Sequence, residues 1–523
     1  MQYFSLLKKR AVGLFLLHFI FSCNTKSDSS QEGGLGNEQP KITLQINSNK
    51  SYQTIDNFGA SDAWACQFVG QWPDQKREKI ADLLFSKELD GEGSPKGIGL
   101  SLWRFNIGAG SAEQGSESGI GDEWRRAESF LELDGTYNWD RQKGQVWFAN
   151  AAKERGVGKL LLFPNSPHVN FTKNGKAYSS DGKSNLAADK YPDFAEYLAN
   201  VVQGLENKGL TVDYVSPINE PQWDWSKGNQ EGCPYWNNEI ADFVKVLNKE
   251  FEEKAISAKI DIAEAGQIDY LYEQGNRPGR SNQITDFFDE SSENYVGDLS
   301  HVGNVISGHS YFTTSPNTKS VEKRAALANS VRSVPKLKFW MSEYCILGGN
   351  DGEINGNGRD LGIDPALYVA KVIHNDLVVA NATAWQWWLA VSPYNYKDGL
   401  VYVDYQKEDG EVYESKILWA LGNFSRFVRP GFNRIDIAQS SGHPNENLLC
   451  SGYKSPDTGE LTIVLVNSDS KAFSINLELD KQAVAASKAY LTSKDKDLEQ
   501  VGLVDASSIE LPPRSVMTIV LNP

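Results

Sequence analysis

Two glutamates that directly follow apolar runs of strand length are the side chains best suited to acid–base chemistry. Glu220 lies in Asn219-Glu220-Pro221, and Glu343 lies in Ser342-Glu343-Tyr344. Two carboxyl groups held close together repel each other's ionised form, which raises the pKa of one of them and keeps it protonated near neutral pH. Such a pair can flank one glycosidic bond: one carboxylate attacks the anomeric carbon, while the other protonates the leaving oxygen and later activates water.

The elements that must position these glutamates alternate between strand and helix. Apolar runs of strand length are separated by amphipathic runs of helical length, a pattern typical of a parallel sheet with crossover helices. Eight strands with intervening helices predict an α/β fold, a (β/α)8 barrel over residues 56–425. The predicted strands are Thr54–Ala60, Leu100–Gly108, Lys159–Pro164, Val212–Ile218, Lys259–Ala263, Val305–His309, Lys338–Glu343 and Thr383–Leu389. The predicted helices are Gly144–Arg155, Tyr191–Asn207, Asn237–Lys254, Ser320–Val331 and Leu367–Val379.

Barrel geometry places both glutamates on one face of the fold. The active site of such a barrel lies at the C-terminal ends of its strands. Glu220 follows the fourth predicted strand and Glu343 ends the seventh, and these strands face each other across a barrel. Glu264 follows the fifth strand and reaches the same face, so position alone leaves it as a rival carboxylate.

The pattern changes after about residue 425 to short alternating runs separated by turn signals, with no helix of useful length between them. This pattern predicts an all-β sandwich over residues 426–523. Residues 42–55, which precede the barrel, are also strand-like and could pair with this sheet. The predicted strands are Arg434–Ile437, Asn447–Tyr453, Leu461–Val466, Phe473–Leu479, Ala489–Thr492 and Val516–Leu521.

Residues 1–22 are typical of an export signal. Lys8-Lys9-Arg10 precedes an apolar stretch over residues 11–22 that is too short to span a bilayer. Ser22-Cys23 resembles a bacterial lipoprotein cleavage site, so we expect Cys23 to be lipidated and to anchor the protein to a membrane; a plain secretory signal is the alternative. Residues 23–41 are polar and predict a flexible tether. The expected location is the cell envelope, as an exported lipoprotein that is outer-membrane, periplasmic or surface-exposed.

The composition excludes several other classes of partner. The 523-residue chain has a net charge of −16, and so acidic a protein is a poor partner for nucleic acid, whose affinity comes mainly from phosphate neutralisation. Its 14 tryptophans and 21 tyrosines suit sugars, which have an apolar face and a polar rim. No Cys/His cluster, P-loop or dinucleotide fingerprint is present, so we expect no metal and no cofactor. We expect a monomer whose partner is a polysaccharide or oligosaccharide.

Several segments resemble glycoside hydrolase family 30, and the resemblance extends over residues 52–523. Within that family, the run Asn57–Trp64 is most similar to the endo-β-1,6-galactanase-like branch. The resemblance implies the barrel and the sandwich, with an acid/base after strand four and a nucleophile at strand seven. The matching segments are Asn57–Ala60, Leu102–Gly108, Ser216–Pro221, Ser342-Glu343, Gly422–Gly431 and Leu511–Val516.

The resemblance also assigns roles to individual residues. It implies that Glu220 is the acid/base and Glu343 the nucleophile. It further implies the substrate-binding residues Asn219, on the sugar 2-hydroxyl; Arg104, which holds the nucleophile ionised; His309 and Tyr311, near the nucleophile; and Trp387, under the sugar that is cleaved.

Other interpretations of these residues stay open. Arg104 could form a structural ion pair, and His309 could be a satisfied core histidine. Trp387 could belong to the barrel core, because alternation along a strand puts Trp385 and Trp387 on one face and Trp388 on the other.

Four loops depart from the family pattern or extend it. Ser166–Phe171 lacks the tryptophan that some relatives carry after strand three, and after strand two Glu113 is the candidate sugar ligand. The aromatic cluster after Glu220 could stack sugars in flanking subsites or could be loop packing; it comprises Trp223, Trp225, Tyr235 and Trp236. Asp351–Asp360 resembles a calcium loop but fails the EF-hand pattern, which needs a glutamate where Gly362 stands.

The combined prediction is an exported retaining glycoside hydrolase that cleaves a β-linked polysaccharide, with endo-hydrolysis of β-1,6-galactan as the first expectation. A β-1,6-glucanase, a xylanase or an exo-β-glycosidase would use the same fold and mechanism. A non-catalytic glycan-binding surface lipoprotein is the alternative from another class. The presence of both Glu220 and Glu343 argues against that alternative, because a pure binding protein needs neither carboxylate.

Overall fold

The computed structural model describes residues 41–440, 445–480, 482–483 and 487–521. The predicted signal peptide, Cys23 and the predicted tether up to residue 40 lie outside the described residues. Across these four ranges, no helix has both the length and the apolar character that crossing a membrane requires. Cys66, Cys233 and Cys345 are buried free thiols, and Cys450 is a partly buried one.

Strands make up two sheets of the described chain. They are β1 (Lys41–Thr54), β2 (Asn57–Ser61), β3 (Leu102–Ile107), β4 (Lys159–Pro164), β5 (Tyr214–Val215), β6 (Lys259–Ala265), β7 (Val302–His309), β8 (Lys338–Glu343), β9 (Ala384–Ser392), β10 (Gly399–Val403), β11 (Val412–Glu414), β12 (Asn433–Gln439), β13 (Leu448–Lys454), β14 (Leu461–Asn467), β15 (Phe473–Leu479), β16 (Gln482–Ala483), β17 (Ser487–Thr492), β18 (Glu499–Val504), β19 (Ile509–Leu511) and β20 (Ser515–Leu521).

Helices connect most of the strands in the first sheet. They are α1 (Cys66–Val69), α2 (Asp74–Phe85), α3 (Ser111–Gln114), α4 (Lys143–Glu154), α5 (Tyr191–Asn207), α6 (Asn237–Glu253), α7 (Gln283–Phe288), α8 (Asn317–Ser333), α9 (Ile363–His374) and α10 (Lys416–Ser425). The longest predicted helices are present because their apolar side chains recur every three or four residues and cover the barrel.

The first sheet closes into the predicted (β/α)8 barrel. Strands β2 to β9 are parallel neighbours in chain order, and β9 pairs with both β8 and β2, which completes the circle. Strand β10 then extends the sheet beside β9, and β11 pairs with β10. Every residue of β3 is buried, as expected for a strand covered on both faces.

The last predicted barrel helix differs from its prediction. The pattern predicts one helix over Leu367–Val379, whereas α9 ends at His374 and a π-helical turn follows over Asn375–Val379. A π-turn accommodates an extra residue, so it re-aims the side chains that follow it. Here the turn carries Asp376 into the protein interior, where it is fully buried.

The second sheet forms the predicted β-domain, which includes the strand that precedes the barrel. Strand β1 lies between β12, its antiparallel partner, and β15, its parallel partner. The sheet curls over on itself, because β18 lies at one end of the strand order while β19, the next strand along the chain, pairs with β15 near the other end. The two halves enclose a single apolar core, to which Leu44, Ile463, Leu477 and Ile519 all contribute.

A short helix joins the barrel to the β-domain. In α10, Asn423 is fully buried, and its amide donates to the backbone carbonyl of Tyr490 at 3.3 Å and to the Thr518 hydroxyl at 2.9 Å. The Thr518 hydroxyl in turn donates to the Asn423 carbonyl at 2.7 Å. These bonds explain why an asparagine stands in the Gly422–Gly431 segment, where it ties the last barrel helix to β17 and β20.

Strand β1 should therefore contribute strongly to the stability of the β-domain. Leu44 is fully buried between β12 and β15, so Leu44→Ala should lower the free energy of unfolding by about 2 to 5 kcal/mol through lost burial and a new cavity. The neighbouring Gln45 is exposed, and Gln45→Ala should change that free energy by less than about 0.5 kcal/mol. Denaturant titration measures both; equal effects would contradict the packing role of β1.

Candidate active site

The barrel brings the two predicted glutamate motifs together. Glu220 follows β5, Glu343 is the last residue of β8, and both line a cavity of about 530 Å³ at the C-terminal ends of the strands. One carboxylate oxygen of each glutamate and a ring nitrogen of His309 lie within 4.8 Å of one another. Glu220 and Glu343 are hereafter called the glutamate pair.

A constrained turn aims Glu220 into the cavity. Its φ is 45°, a left-handed value that is uncommon for a residue other than glycine and is typical of functional positions. Its backbone N–H donates to the Glu264 carbonyl at 2.9 Å, and its own carbonyl accepts from the Trp225 indole at 3.0 Å. Both peptide groups of Glu220 are therefore fixed by neighbours, which holds the unusual conformation in place.

Two buried donors orient Glu343. The guanidinium of Arg104, on β3, donates to Oε2 at 2.9 Å, and the Tyr311 hydroxyl donates to Oε1 at 2.9 Å. Arg104 is fully buried and lies 4.2 Å above the Phe163 ring. Hydrogen bonds from these two buried donors fix the direction of the Glu343 carboxyl group.

His309 links the glutamate pair to a third carboxylate. Its Nδ1 lies 3.0 Å from Glu220 and its Nε2 lies 2.9 Å from Glu264. Burial disfavours the charged imidazole, but the nearby carboxylates of Glu343, Glu220 and Glu264 outweigh it and raise the pKa of His309 to about 10. The raised pKa favours an imidazolium, which can donate to a carboxylate through each of its two nitrogens.

Opposing influences act on Glu220. Burial raises the pKa of its carboxyl group, and the neighbouring Glu343 raises it further, while the His309 imidazolium lowers it; the net direction is upward. A raised pKa suits a carboxyl group that must hold a proton near neutral pH before it gives that proton away.

The rival carboxylate, Glu264, has a different environment. It is fully buried and does not line the cavity. Burial disfavours its charged form, but Arg104, 3.1 Å away, and the His309 imidazolium outweigh that penalty and lower the pKa of Glu264 to about 2. Its oxygens also accept from the hydroxyls of Ser216, at 3.2 Å, and Ser342. Glu264 is thus a permanent counter-ion for Arg104 and His309.

The spacing of Glu220, His309 and Glu343 would also fit the ligands of a metal ion. A metal needs a lone pair on the imidazole, whereas both nitrogens of His309 lie within hydrogen-bond distance of carboxylates, and the raised pKa of His309 favours the ring with both protons. The arrangement is therefore built for proton and charge handling by the side chains themselves.

Asn219 lies beside Glu220 in the cavity wall. Its amide nitrogen donates to Asn165 Oδ1 at 3.2 Å, which orients the group. Its Oδ1 is buried and has no hydrogen-bond partner among the described residues. This free acceptor suits a hydroxyl group of a bound ligand.

Aromatic rings form much of the cavity wall. Trp223 packs edge-to-face against Phe312, with ring centroids 6.2 Å apart. Of the predicted aromatic cluster, Trp223 and Trp225 reach the cavity; Tyr235 is buried elsewhere, and Trp236 packs against Arg280. The aromatic residues in the wall are Trp64, Trp223, Trp225, Tyr311, Phe312, Trp388 and Tyr396.

The structure corrects one predicted wall residue: Trp388, not Trp387, reaches the cavity. Ala60 pairs with Trp387 and the next residue, Ser61, pairs with Leu389, so Trp388 is an extra residue in β9. Such a bulge breaks the simple alternation of side chains. Trp387 is fully buried, and its indole donates to the Asp398 carbonyl at 2.7 Å.

The prediction for Glu113 is also corrected. Its carboxylate accepts from the backbone N–H of Ser129 at 3.2 Å and lies 3.7 Å from Arg141, and it does not line the cavity. Burial raises the pKa of Glu113 to about 7. Helix α3 turns this side chain into the packing beneath the loop rather than toward the strand ends.

Several cavity residues were not predicted as site residues, among them Trp64, Asp398 and Arg125, which could contact a ligand through polar or aromatic groups. Trp64 follows β2 and lines the cavity. Its segment contributes to the prediction only through the family resemblance, although a position just after a strand end could have identified Trp64 as a site residue. Asp398 lies in the connection between β9 and β10. Arg125 ends a 3-10 turn inside a long loop, and no motif marks it.

The (β/α)8 barrel, the close glutamate pair and the aromatic cavity define a glycosidase. The sequence matches the family model for O-Glycosyl hydrolase family 30 over residues 41–402. Because this match covers more than half of the chain, the protein belongs to glycoside hydrolase family 30.

Named relatives act on different polymers. The chain is 23% identical over 466 residues to an endo-β-1,6-galactanase of Hypocrea rufa, which covers 85% of each chain. It is 24% identical over 397 residues to a glucuronoxylanase of Bacillus subtilis (strain 168), covering 74% of this chain and 78% of the relative. The crystal structure of a conserved exported protein from Bacteroides fragilis superposes with a TM-score of 0.86 at 36% identity, covering 92% of this chain and 100% of that one.

A buried ion pair supports the segment that follows His309. Asp376, on the π-turn, binds Arg324 of α8 at 2.7 Å, and both side chains are fully buried. The Ser310 hydroxyl accepts from Arg324 at 3.0 Å and lies 3.1 Å from Asp376 Oδ1. Arg324 also donates to the Thr313 carbonyl at 2.8 Å. The ion pair therefore holds both ends of the segment that carries Tyr311.

Ser310→Ala should consequently impair the site through Tyr311 and His309. We expect kcat on a chromogenic aryl β-glycoside of a β-linked disaccharide to fall by roughly 10-fold, because small displacements of positioned groups have large effects on rate. The matched control is Trp385→Phe, which also removes one hydrogen bond to Asp376, of 2.9 Å, but from outside this segment. It should lower stability yet leave kcat within about twofold. If kcat falls in both variants in proportion to their loss of stability, the positioning role of Ser310 is contradicted.

Proposed function

We propose that this protein is a retaining endo-β-1,6-galactanase in which Glu343 is the nucleophile and Glu220 the acid/base. The observation that carries the mechanism is the separation of the glutamate pair, whose nearest ligand atoms lie within 4.8 Å. Retaining glycosidases hold their carboxyl groups about 5–5.5 Å apart, whereas inverting ones need about 6.5–9.5 Å to admit a water molecule. The close pair favours double displacement.

In the first step, Glu343 attacks the anomeric carbon while Glu220 protonates the leaving oxygen. Arg104 and Tyr311, each 2.9 Å from Glu343, hold the attacking carboxylate in one orientation. Burial and the charge of Glu343 raise the pKa of Glu220, which favours the protonated form that its role requires.

In the second step, Glu220 has lost its proton and removes one from a water molecule, which then attacks the glycosyl-enzyme ester. The Asn219 amide, with its unpartnered oxygen, lies in the wall beside Glu220 and can hydrogen-bond the sugar 2-hydroxyl. Such a bond strengthens in the oxocarbenium-like transition state and contributes to the rate.

Two observations support endo-action on β-1,6-galactan. The match to the galactanase of Hypocrea rufa covers 85% of each chain. The catalytic cavity also adjoins a second cavity of about 320 Å³, since both are lined by Arg125, Trp225 and Gln230. A cleft that extends from the catalytic cavity into a second one can hold several sugar units of a polymer.

We also propose that the enzyme is exported and anchored through lipidated Cys23, with residues 24–41 as a tether. This arrangement would keep the catalytic barrel at the cell envelope, where extracellular polysaccharide is met. The basic and apolar pattern of residues 8–22 supports export.

Product analysis tests the substrate and the mode of action. Residues 24–523 should release a ladder of oligosaccharides from β-1,6-galactan and leave β-1,6-glucan, glucuronoxylan and aryl β-glycosides of monosaccharides largely intact. A ladder of oligosaccharides from glucan or xylan would instead identify that polymer as the substrate. Monosaccharide alone would identify an exo-glycosidase, and no turnover of any substrate would favour the glycan-binding alternative.

Chemical rescue tests the two catalytic roles. Glu343→Ala and Glu220→Ala should each lose roughly 10⁴-fold or more of their polysaccharide activity. With azide and an aryl β-glycoside of a β-1,6-linked disaccharide, Glu343→Ala should form the α-glycosyl azide, because azide attacks from the vacated side. Glu220→Ala should form the β-glycosyl azide, because azide replaces water in the second displacement. The same anomer from both variants would refute the assignment, and Glu343→Gln should still bind the polymer.

A further inference from the structure

Asp398 places a buried carboxyl group in the wall of the catalytic cavity. It lies between β9 and β10, is 4% exposed and lines the same cavity as the glutamate pair. The Ser392 hydroxyl donates to its Oδ1 at 2.7 Å, and the Trp387 indole donates to its backbone carbonyl at 2.7 Å. The carboxyl group is therefore held in one orientation at the cavity.

The environment of Asp398 differs from that of the other buried acids of the site. Glu343 and Glu264 both bind Arg104, whereas Asp398 forms no ion pair within the described residues. Burial raises the pKa of Asp398 to about 6. The charges of Arg125 and Arg359 act on its carboxyl group from beyond ion-pair distance, and burial outweighs them. A buried carboxylate without a direct ion pair is unfavourable unless hydrogen-bond donors satisfy it. Hydroxyl groups of a bound ligand would be such donors.

Arg125 adds a fixed donor group to the same cavity. Its guanidinium lies between two aromatic rings, 4.7 Å from the Trp64 centroid and 5.1 Å from that of Tyr394. Its Nε is buried and has no hydrogen-bond partner among the described residues. The nearest acid is Asp122, 3.6 Å away, and this carboxylate already accepts from the hydroxyls of Tyr394 and Tyr405.

The remaining walls around these two groups are aromatic. Trp64 and Trp388 meet edge-to-face with centroids 5.3 Å apart, so they form two walls at nearly a right angle. A pyranose ring has an apolar face that packs on such a wall and a rim of hydroxyls that both donate and accept hydrogen bonds. Asp398 supplies an acceptor for that rim, and Arg125 supplies donors.

We propose that Asp398 and Arg125 determine specificity: together they bind the hydroxyl groups of a neutral hexosyl residue next to the cleaved bond, and Asp398 excludes uronic acids from that position. The inference rests on the proposed function and narrows its substrate to a neutral sugar at this subsite.

Charge explains the exclusion. A uronic acid in this subsite would bring its carboxylate close to Asp398, inside a wall where the low dielectric strengthens repulsion between like charges. Arg125 does not reverse this preference, because Asp122 lies 3.6 Å from its guanidinium and offsets its charge. The subsite thus favours hydroxyl groups over a second carboxylate.

Calorimetric titration of Glu343→Gln, which blocks turnover, tests the proposal with two ligands. The first is β-1,6-galactotetraose, and the second is the same oligosaccharide bearing one glucuronosyl residue. The neutral ligand should bind at least about 10-fold more tightly. Adding Asp398→Asn should weaken neutral binding by roughly 10- to 100-fold and shrink the preference for the neutral ligand by about 10-fold or more. Glu408→Gln, which removes an exposed charge, should change neither affinity.

A second variant separates the two residues. Arg125→Gln should weaken the neutral ligand by roughly 10-fold and leave the preference against the acidic ligand in place. A selective loss of the acidic ligand in Arg125→Gln, or an unchanged preference in Asp398→Asn, would overturn the proposal. Turnover of galactan by the wild-type enzyme is measured separately. If the wild-type enzyme does not cleave galactan but Asp398→Asn still alters the binding preference, the proposed galactanase activity is rejected and the proposed role of Asp398 in the subsite stands.

Discussion

The mutual pairing of buried charges is the constraint on which the rest of the active site depends. Arg104, His309 and Glu264 are all fully buried, and each binds at least one of the others or the glutamate pair. A buried charge without a partner costs several kcal/mol, so no member of this group is tolerated alone. Strands β3, β6 and β7 must therefore be in register before the charges can be buried. Closing the barrel and assembling the active site thus depend on the same strand register.

The sequence predicted those parts of the fold that follow from local periodicity and from a general rule of barrels. Tyr191–Asn207 is a helix with the same bounds in the pattern and in the structure, because its apolar residues recur at helical spacing. Glu220 and Glu343 could be paired in advance because strand ends of a barrel share one face. Strand β1 could be attached to the β-domain because its alternation requires a second apolar surface.

The parts that could not be predicted depend on register and on loop conformation. Period-2 alternation places Trp387 and Trp388 on opposite faces, but which of them faces the cavity depends on one extra residue in β9. The π-turn that buries Asp376 interrupts a pattern that is helical throughout. Arg125 reaches the cavity because its guanidinium packs against the rings of Trp64 and Tyr394. A contact of this kind, made by a loop, leaves no periodic pattern in the sequence.

The charge balance of the buried group explains how one site could serve both steps of the proposed double displacement. With Glu220 protonated, two cations, Arg104 and His309, face two carboxylates, Glu264 and Glu343, and the group is neutral. In the proposed mechanism, esterification removes the charge of Glu343 at the moment when Glu220 gives up its proton, so the group is neutral again. His309, 3.0 Å from Glu220 and 3.6 Å from Glu343, stays close to whichever of the two is ionised. Each displacement therefore moves negative charge between two positions beside one fixed imidazolium, and neither step leaves an unpaired charge inside the barrel.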